Sequence, residues 1–257
     1  MPKLMNNRVF AFDLDGTIYR GDTLIGGADE VVNRLRKMGI KVVFFTNSST
    51  KTSQQVHSKL TRMGLAPRIE DIHTSARAAA VYSLENSISK VYCLGTEGLK
   101  AEFKSLDISV LDTAVEVVDA LIIGLDPEFN YSKLAAIMPF NNNINKIIAC
   151  NRDKCYPIEN NVQLPGCGPI VAAVENALGR EVDFISGKPN SYMLELLSRQ
   201  LECTRTEITV VGDSFESDIQ MAINYGAQSF YISPRECRKI GDTTHIHDIR
   251  EILRYIE

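Results

Sequence analysis

The chain has 257 residues, enough for one large domain or two modest ones, with the apolar and charged fractions of an ordinary globular protein. Its 28 basic and 32 acidic residues give a formal charge of −4, and no basic block suggests a nucleic-acid partner. No apolar run approaches the ~18 residues of a membrane helix, and the start does not resemble a signal peptide, so we expect a cytoplasmic protein with no membrane partner.

Short apolar runs alternate with amphipathic stretches from the beginning of the chain. The run at 9–12 precedes a predicted helix, ADEVVNRLRKM, which Gly39 can end. The run at 40–46 precedes a predicted helix near 52–63, which opens with a capping-box pattern. Because both runs are almost continuously apolar, they are typical of parallel strands buried on both faces.

The same alternation returns near the other end of the chain. Predicted strands at 182–186 and 207–213 each precede a predicted helix, PNSYMLELLSRQL and SDIQMAINY, and a further strand is predicted at 227–233. Strands that alternate with helices predict an α/β fold with a parallel sheet covered on both faces.

The middle of the chain has an alternation of its own. KVYCLG, ALIIGLD and KIIACN predict strands, and helices are predicted near 97–105, 131–138 and 168–178. We therefore predict a core domain from residues 1–76 and 184–257, with a second α/β domain inserted at 77–183.

An acid pair directly follows the first predicted strand, in the sequence Asp13-Leu14-Asp15-Gly16-Thr17. Acids at strand ends also form caps and turns, and this motif alone leaves that alternative open. In an open parallel sheet, however, ligands bind beyond the carboxyl ends of the strands. Two carboxylates there suit a hard cation such as Mg²⁺, and one of them can act as a nucleophile.

Three further polar motifs follow predicted strands. The stretch that begins at Thr46 is either a polar loop before a helix or a set of hydroxyl and N–H groups for phosphate oxygens. Lys188 is a surface charge by default, but at a strand-to-helix junction its ammonium would neutralise phosphate and carboxylate charge. Asp213 would complete a carboxylate cluster, whereas Asp218 is also explained as an acid in the first turn of a helix.

The joint order of these motifs resembles the haloacid dehalogenase superfamily. DLDGT, Thr46, Lys188 and GDSFESD are similar to its four motifs in order, and the resemblance covers the whole chain. The segment between Thr46 and Lys188 is similar to the large α/β cap of the branch that includes NagD and the 4-nitrophenyl phosphatases. The resemblance implies a Rossmann-like parallel sheet with an inserted cap domain that selects the substrate.

The resemblance also implies a Mg²⁺-dependent phosphatase that hydrolyses a small-molecule phosphate monoester through an aspartyl-phosphate. Asp13 would attack phosphorus, and Asp15 would protonate the leaving alcohol and then activate water. Thr46 and the backbone of Asn47 would hold phosphate oxygens, and Lys188 would bridge the phosphate and Asp13.

The magnesium ligands that the resemblance implies are the Asp13 carboxylate, the Asp15 backbone carbonyl and Asp213. Asp218 and Ser214 are expected to support these ligands through water or hydrogen bonds. Phosphoryl transfer mostly needs alignment and charge neutralisation, which such a set of groups supplies.

The loop Asn151-Arg152-Asp153-Lys154 lies within the predicted cap. The similar branch usually has Asn-Pro-Asp here, and Arg152 stands in place of the proline. Asn151, Arg152 and Asp153 are candidate substrate-binding residues, and Arg152 or Lys154 would meet a second anionic group on the substrate. The alternative is a solvated charged loop.

Two other functions stay open at this point. A phosphotransferase or mutase would pass the phosphoryl group to an acceptor other than water, but the known mutase branch lacks a large cap at this place. A non-catalytic phosphate-binding regulator would not need Asp13, Asp15, Lys188 and Asp213 together. The physiological substrate and the oligomeric state, a homodimer included, stay open.

Overall fold

The computed structural model describes residues 8–113, 117–140, 144–157, 162–234 and 241–256, and the other parts of the predicted domains lie outside these ranges. The strands are β1 Val9–Asp13, β2 Tyr19–Arg20, β3 Thr23–Leu24, β4 Lys41–Thr46, β5 Ile72–Thr74, β6 Lys90–Leu94, β7 Ser109–Leu111, β8 Ala120–Ile123, β9 Lys146–Ala149, β10 Cys155–Pro157, β11 Gln163–Pro165, β12 Phe184–Ile185, β13 Ile208–Gly212, β14 Gln228–Ile232 and β15 Thr243–Ile246. The helices are α1 Ala28–Lys37, α2 Ser53–Arg62, α3 Ser75–Glu85, α4 Glu97–Lys104, α5 Tyr131–Ala136, α6 Cys167–Leu178, α7 Tyr192–Leu201, α8 Gln220–Tyr225 and α9 Leu253–Ile256.

Two compact units make up the described chain. The first comprises Met1–Thr46, Val56–His73 and Lys188–Glu257, and the second comprises Asn47–Gln55 and Thr74–Gly187. None of the helices in the described ranges has the length and apolar character needed to cross a membrane.

A six-stranded sheet forms the centre of the first unit, in the order β15-β14-β13-β1-β4-β5. β1 pairs in parallel with β13 on one side and β4 on the other, and β13, β14 and β15 continue in parallel. All five residues of β1 are buried, as expected for a strand with helices over both faces of its sheet. The predicted α/β class with a parallel sheet is confirmed.

The apolar side chains of β1 and β4 build the core of this unit together with α1. Phe10, Phe12 and Phe44 are fully buried and pack with Val31 and Leu35 of the helix. The apolar residues of α1 recur at helical spacing, so one face of the helix covers the sheet while its charged residues stay in water. This rigid core fixes where the carboxyl ends of the strands lie.

A five-stranded parallel sheet forms the second unit, in the order β12-β9-β8-β6-β7. Residues 184–186 were predicted to belong to the first domain, but the strand formed there, β12, pairs with β9. The chain passes to the first unit only between Gly187 and Lys188. The run is apolar because it lies at the edge of the second sheet, and apolarity alone cannot tell one sheet from another.

Several elements were not predicted from the sequence. A short hairpin, β2–β3, follows the acid pair, and a second hairpin joins β10 to β11 in a segment that is polar and contains prolines. Residues Phe215–Ile219 form a π-helical turn before α8 instead of one continuous helix. Single π-turns within helices are uncommon and frequently occur at functional sites.

Candidate active site

The order of the first sheet brings three of the predicted site residues to adjacent strand ends. Asp13 is the last residue of β1, Thr46 is the last residue of β4, and Asp213 directly follows β13. Because β1 lies between β4 and β13 and all three strands run in parallel, these residues share the carboxyl edge of the sheet. Ligands of open α/β sheets bind at this edge.

Lys188 connects two buried carboxylates at the same edge. Its ammonium donates to Asp13 Oδ1 at 2.5 Å and to Asp218 Oδ1 at 2.6 Å, and all three side chains are almost fully buried. The second carboxylate oxygen of Asp218 accepts a hydrogen bond from the backbone N–H of Ser214 at 3.1 Å. Two anions held on one cation in the interior form a network whose members depend on one another.

The ionisation of these groups follows from burial and proximity. Burial raises the pKa of Asp13 above its ordinary value, and Asp218 and Asp213 add to this effect, whereas Lys188 opposes it. Burial, with the Asp218 charge, raises the pKa of Asp213 to about 6. Burial by itself would lower the pKa of Lys188, but the ion pairs with Asp13 and Asp218 outweigh it and raise the pKa. The lysine therefore stays a cation.

Two glycines leave room for the carboxylates. Gly16 has φ of +98°, and a Cβ there would lie 2.1 Å from Oδ2 of Asp213. A Cβ on Gly212 would lie 2.3 Å from the Asp218 side chain. Any larger residue at either position would push a carboxylate away from the cluster.

The carboxylates of Asp13, Asp213 and Asp218 fit a divalent cation. Each offers an oxygen atom, and these oxygens all lie within 4.8 Å of one another. Hard oxygen ligands at this spacing suit Mg²⁺, and three acids with one lysine leave excess negative charge for a cation to neutralise. Asp218 has both oxygens engaged, Oδ1 by Lys188 and Oδ2 by the Ser214 N–H, so Asp13 and Asp213 have more ligand capacity to offer.

Asp15 lies on the exposed side of the loop that follows β1. Its Oδ2 accepts a hydrogen bond from the Tyr19 hydroxyl at 3.1 Å. The loop is tight because the N–H groups of Ile18 and Tyr19 both donate to the carbonyl of Leu14, and the N–H of Gly16 donates to the carbonyl of Tyr19. The exposed carboxylate is thus free to meet a ligand while one of its oxygens is held.

The remaining predicted residues belong to the second unit, where they contact one another. The side-chain amide of Asn47 donates to both carboxylate oxygens of Asp153, at 3.0 and 3.1 Å. Asn151 is buried, donates from its own amide to the Asn47 carbonyl at 2.7 Å and accepts from the Asp153 N–H at 3.0 Å. These contacts give the loop after Ala149 one defined shape.

Arg152, which stands where the similar branch usually has a proline, forms an ion pair through its side chain. Its guanidinium forms a bidentate ion pair with Glu175 of α6, in which Nη1 lies 3.0 Å from Oε2. Burial would raise the pKa of Glu175, but the hydrogen bonds from Arg152 and the Val182 N–H lower it. Arg152 therefore serves the local structure of the second unit.

Gly166 and Gly168, which were not predicted as site residues, hold this same loop. The N–H of Gly166 donates to the Lys154 carbonyl and the N–H of Gly168 donates to the Asp153 carbonyl, each at 2.9 Å. A Cβ on Gly166 would lie 2.2 Å from the Asp153 carbonyl oxygen. The motif PGCGP is the signal in the sequence, because its glycines allow this close approach of two backbone segments.

Comparison with known proteins matches this chain to one family along nearly its whole length. A model of the haloacid dehalogenase-like hydrolases matches residues 10–109, and a second model, of HAD-hydrolase-like proteins, matches residues 185–234. The acid sugar phosphatase of Staphylococcus saprophyticus is 30% identical over 262 residues, which cover 99% of this chain and 100% of that protein. The chain belongs to the haloacid dehalogenase-like hydrolases. Another member of the family, the acid sugar phosphatase of Staphylococcus aureus, is 34% identical over 258 residues, with 97% and 98% of the two chains covered.

Solved structures of other haloacid dehalogenase-like hydrolases have the same fold. The 4-nitrophenylphosphatase of Thermotoga maritima matches with a TM-score of 0.89 and 26% identity over 99% of both chains. The glycerol phosphate phosphatase of Mycobacterium tuberculosis, solved in complex with magnesium, matches with a TM-score of 0.80 and 27% identity over 90% of this chain and 70% of that one. The predicted membership of the NagD and 4-nitrophenyl phosphatase branch is confirmed. The chain is therefore a phosphatase of the haloacid dehalogenase type.

Proposed function

We propose that this enzyme hydrolyses small-molecule phosphate monoesters through an aspartyl-phosphate on Asp13, and that it depends on Mg²⁺. The observation that carries the proposal is the buried Asp13–Lys188–Asp218 network, with Asp213 beside it at the carboxyl edge of the sheet. A carboxylate that is buried yet held against a fixed cation is oriented as a nucleophile, and no water shell has to be removed from it first.

In the first half of the reaction, one Asp13 oxygen forms a bond to phosphorus while the bond from phosphorus to the ester oxygen breaks. The departing oxygen takes a proton from the Asp15 carboxyl group and leaves as an alcohol. Lys188 favours the ionised form of Asp13, against the effect of burial, and balances negative charge as it spreads over the phosphoryl group. Thr46, at the end of the neighbouring strand, offers a hydroxyl to the phosphoryl oxygens.

In the second half, Asp15, now ionised, removes a proton from a water molecule. The water oxygen attacks phosphorus, the bond to Asp13 breaks, and inorganic phosphate is released with Asp13 restored as a carboxylate. Protons and charges return to their starting state after one turnover. The exposed position of Asp15 suits both halves, because leaving alcohol and water must reach the same carboxyl group.

Asp13 and Asp213 are the carboxylates that would hold Mg²⁺, together with the Asp15 backbone carbonyl that the family resemblance implies. Asp218 supports the set through Lys188 and the backbone of Ser214. When bound, Mg²⁺ supplies positive charge that neutralises the carboxylates and a phosphate oxygen. The magnesium in the glycerol phosphate phosphatase of Mycobacterium tuberculosis supports the choice of this cation.

We infer that the second unit is the cap that selects the substrate. The activities for which the relatives are named point to sugar phosphates and glycerol phosphate as the first substrates to test. The loop from Asn151 to Asp153 is a candidate for contact with the leaving group, because its Asn47–Asp153 and Asn151–Asn47 hydrogen bonds give it a fixed shape. The cytoplasmic location and the homodimer stay predictions.

The direct test is turnover of 4-nitrophenyl phosphate and a panel of phosphometabolites, with Mg²⁺ and with EDTA. We expect turnover with Mg²⁺ and its loss with EDTA. Asp13→Asn should lower kcat by at least about 10³-fold, because the amide cannot attack phosphorus. Asp112→Asn is the matched control, since Asp112 is an exposed acid of the second unit, and it should leave kcat unchanged.

A second measurement checks the covalent step directly. Intact-mass analysis after rapid acid quenching should detect one phosphoryl group on the wild type and none on Asp13→Asn. Full activity of Asp13→Asn, or no turnover of any substrate at saturating Mg²⁺, would show that the proposed function is wrong.

A further inference from the structure

The hairpin β2–β3 carries an aromatic residue that touches the proposed acid–base group. Tyr19 begins β2, four residues after Asp15, and its side chain is buried whereas Asp15 is exposed. The Tyr19 hydroxyl donates to Asp15 Oδ2 at 3.1 Å. A carboxyl group that acts as an acid and then as a base needs one oxygen directed at the reacting atoms through both steps.

Backbone hydrogen bonds fix Tyr19 from both sides. Its N–H donates to the Leu14 carbonyl at 3.1 Å, and its carbonyl accepts from the Gly16 N–H at 2.8 Å. Tyr19 also lies opposite Leu24 in the antiparallel hairpin. The phenol is therefore tied to the loop that carries Asp13 and Asp15, and it cannot move independently of that loop.

The face of the Tyr19 ring is covered by a cation. The Lys59 ammonium lies 3.7 Å from the ring centroid, and Asp22, in the turn of the hairpin, lies 3.7 Å from the same ammonium. A cation over the face of an aromatic ring is attracted to it, so Lys59 helps to hold the ring in place. Burial and the Asp15 charge raise the pKa of Tyr19, so the hydroxyl keeps its proton while it faces the carboxylate.

We propose that Tyr19 is a positioning residue for Asp15: its hydroxyl binds one carboxylate oxygen and leaves the other to exchange a proton with leaving group and water. Lys59 holds the ring through contact with its face. This inference rests on the proposed phosphatase function, in which Asp15 is the acid and base.

The test compares two substrates that differ in their need for an acid. A 4-nitrophenyl leaving group departs as a stable anion, whereas an alkyl leaving group, as in glycerol phosphate, departs only with a proton. The parameter is kcat/KM, because it reports the steps up to the formation of the aspartyl-phosphate and excludes its hydrolysis. Tyr19→Phe removes the hydroxyl and keeps the ring under Lys59.

We expect Tyr19→Phe to lower kcat/KM about 10- to 100-fold for glycerol phosphate, a part of the typical contribution of general acid catalysis, and less than about threefold for 4-nitrophenyl phosphate. Asp15→Asn should show the same preference more strongly, and adding Tyr19→Phe to it should change little, because the partner is already lost. Tyr131→Phe, at an exposed tyrosine of the second unit, is the matched control.

Equal losses on both substrates would show that Tyr19 only supports the fold, and no loss on either would show that it does not act on Asp15. Either result overturns the inference while leaving the proposed function intact, provided that Asp15→Asn still discriminates between the substrates. Failure of the proposed function has a different signature, which is retained activity in Asp13→Asn.

Discussion

Replacement of Lys188 by methionine is the most informative perturbation of the proposed site. Lys188→Met keeps most of the length of the side chain but leaves Asp13 and Asp218, which contact its ammonium at 2.5 and 2.6 Å, without their cation. Removal of one partner from a buried ion pair typically costs about 3–5 kcal/mol, because the charge left behind is neither paired nor hydrated. Both carboxylates are at most 10% exposed, so the full range applies here.

We expect the free energy of unfolding to fall by about 3–5 kcal/mol at pH 7.5 in EDTA, measured by urea denaturation followed by circular dichroism. Adding Asp218→Asn should restore about 1–3 kcal/mol of this loss, because one of the two unpaired charges is removed. Mg²⁺ should stabilise Lys188→Met, since a cation bound to the carboxylates replaces part of the missing charge. Activity should fall by at least about 10²-fold in kcat.

Lys104→Met, at an exposed position of α4, controls for the removal of a lysine charge that has no buried ion-pair partner among the described residues. It should change the free energy of unfolding by less than about 0.5 kcal/mol. Equal urea midpoints for Lys188→Met and Lys104→Met would refute the reasoning. So would a double variant no more stable than Lys188→Met, since the cost would then not come from unpaired charge.

Three other changes test separate parts of the structure. Gly16→Ala should lower the free energy of unfolding by more than about 1 kcal/mol, because its φ is +98°, and urea denaturation measures this. It should also lower kcat/KM at least tenfold, because its Cβ would meet Asp213, and kinetics at increasing Mg²⁺ concentration measure this second effect. Burial lowers the pKa of His73 to about 4, and its Nε2 finds no hydrogen-bond partner within the described chain. The unfolded protein therefore binds more protons, and the free energy of unfolding falls as the pH drops from 6.5 toward 4. His73→Leu should remove about 2 kcal/mol of the decrease in this free energy between pH 7 and 5. An identical pH dependence of stability in both proteins would contradict this. Arg152→Met should change kcat/KM for the best substrate less than threefold and stability by about 0–1 kcal/mol, because its half-exposed guanidinium is engaged by Glu175; a large rise in KM would instead make Arg152 a substrate ligand.

The strands that carry Asp13, Thr46 and Asp213 could be predicted from the sequence for a physical reason. A strand buried on both faces must be apolar at nearly every position, so β1, β4 and β13 stand out from their surroundings. A polar residue directly after such a run marks the carboxyl edge of the sheet. The sequence could not supply the order of the strands, which places β1 between the other two.

The sequence did not reveal which sheet contains the strand before Lys188. Lys188 was predicted to follow a strand of the first sheet, but that strand, β12, pairs with β9 of the second.

Helix α3 was not predicted because its buried residues are small and lie around the helix, so they form no stripe at helical spacing; they include Ala76, Ala78, Ala79 and Ala80. Such elements are specified by the partners they pack against, and a single sequence does not show those partners.

The second unit is made from two separate stretches of chain, and this limits how such a unit can be exchanged between relatives. The short stretch 47–55 accepts hydrogen bonds from the long one through Ser49 Oγ, which binds the Leu125 N–H at 2.8 Å, and through the Thr50 carbonyl, which binds Thr96 Oγ1 at 3.1 Å. A chimera that replaces only 74–187 would therefore set foreign side chains against a native segment. Recombination that carries both stretches together preserves the unit, so its transfer between relatives requires two pieces of gene and not one.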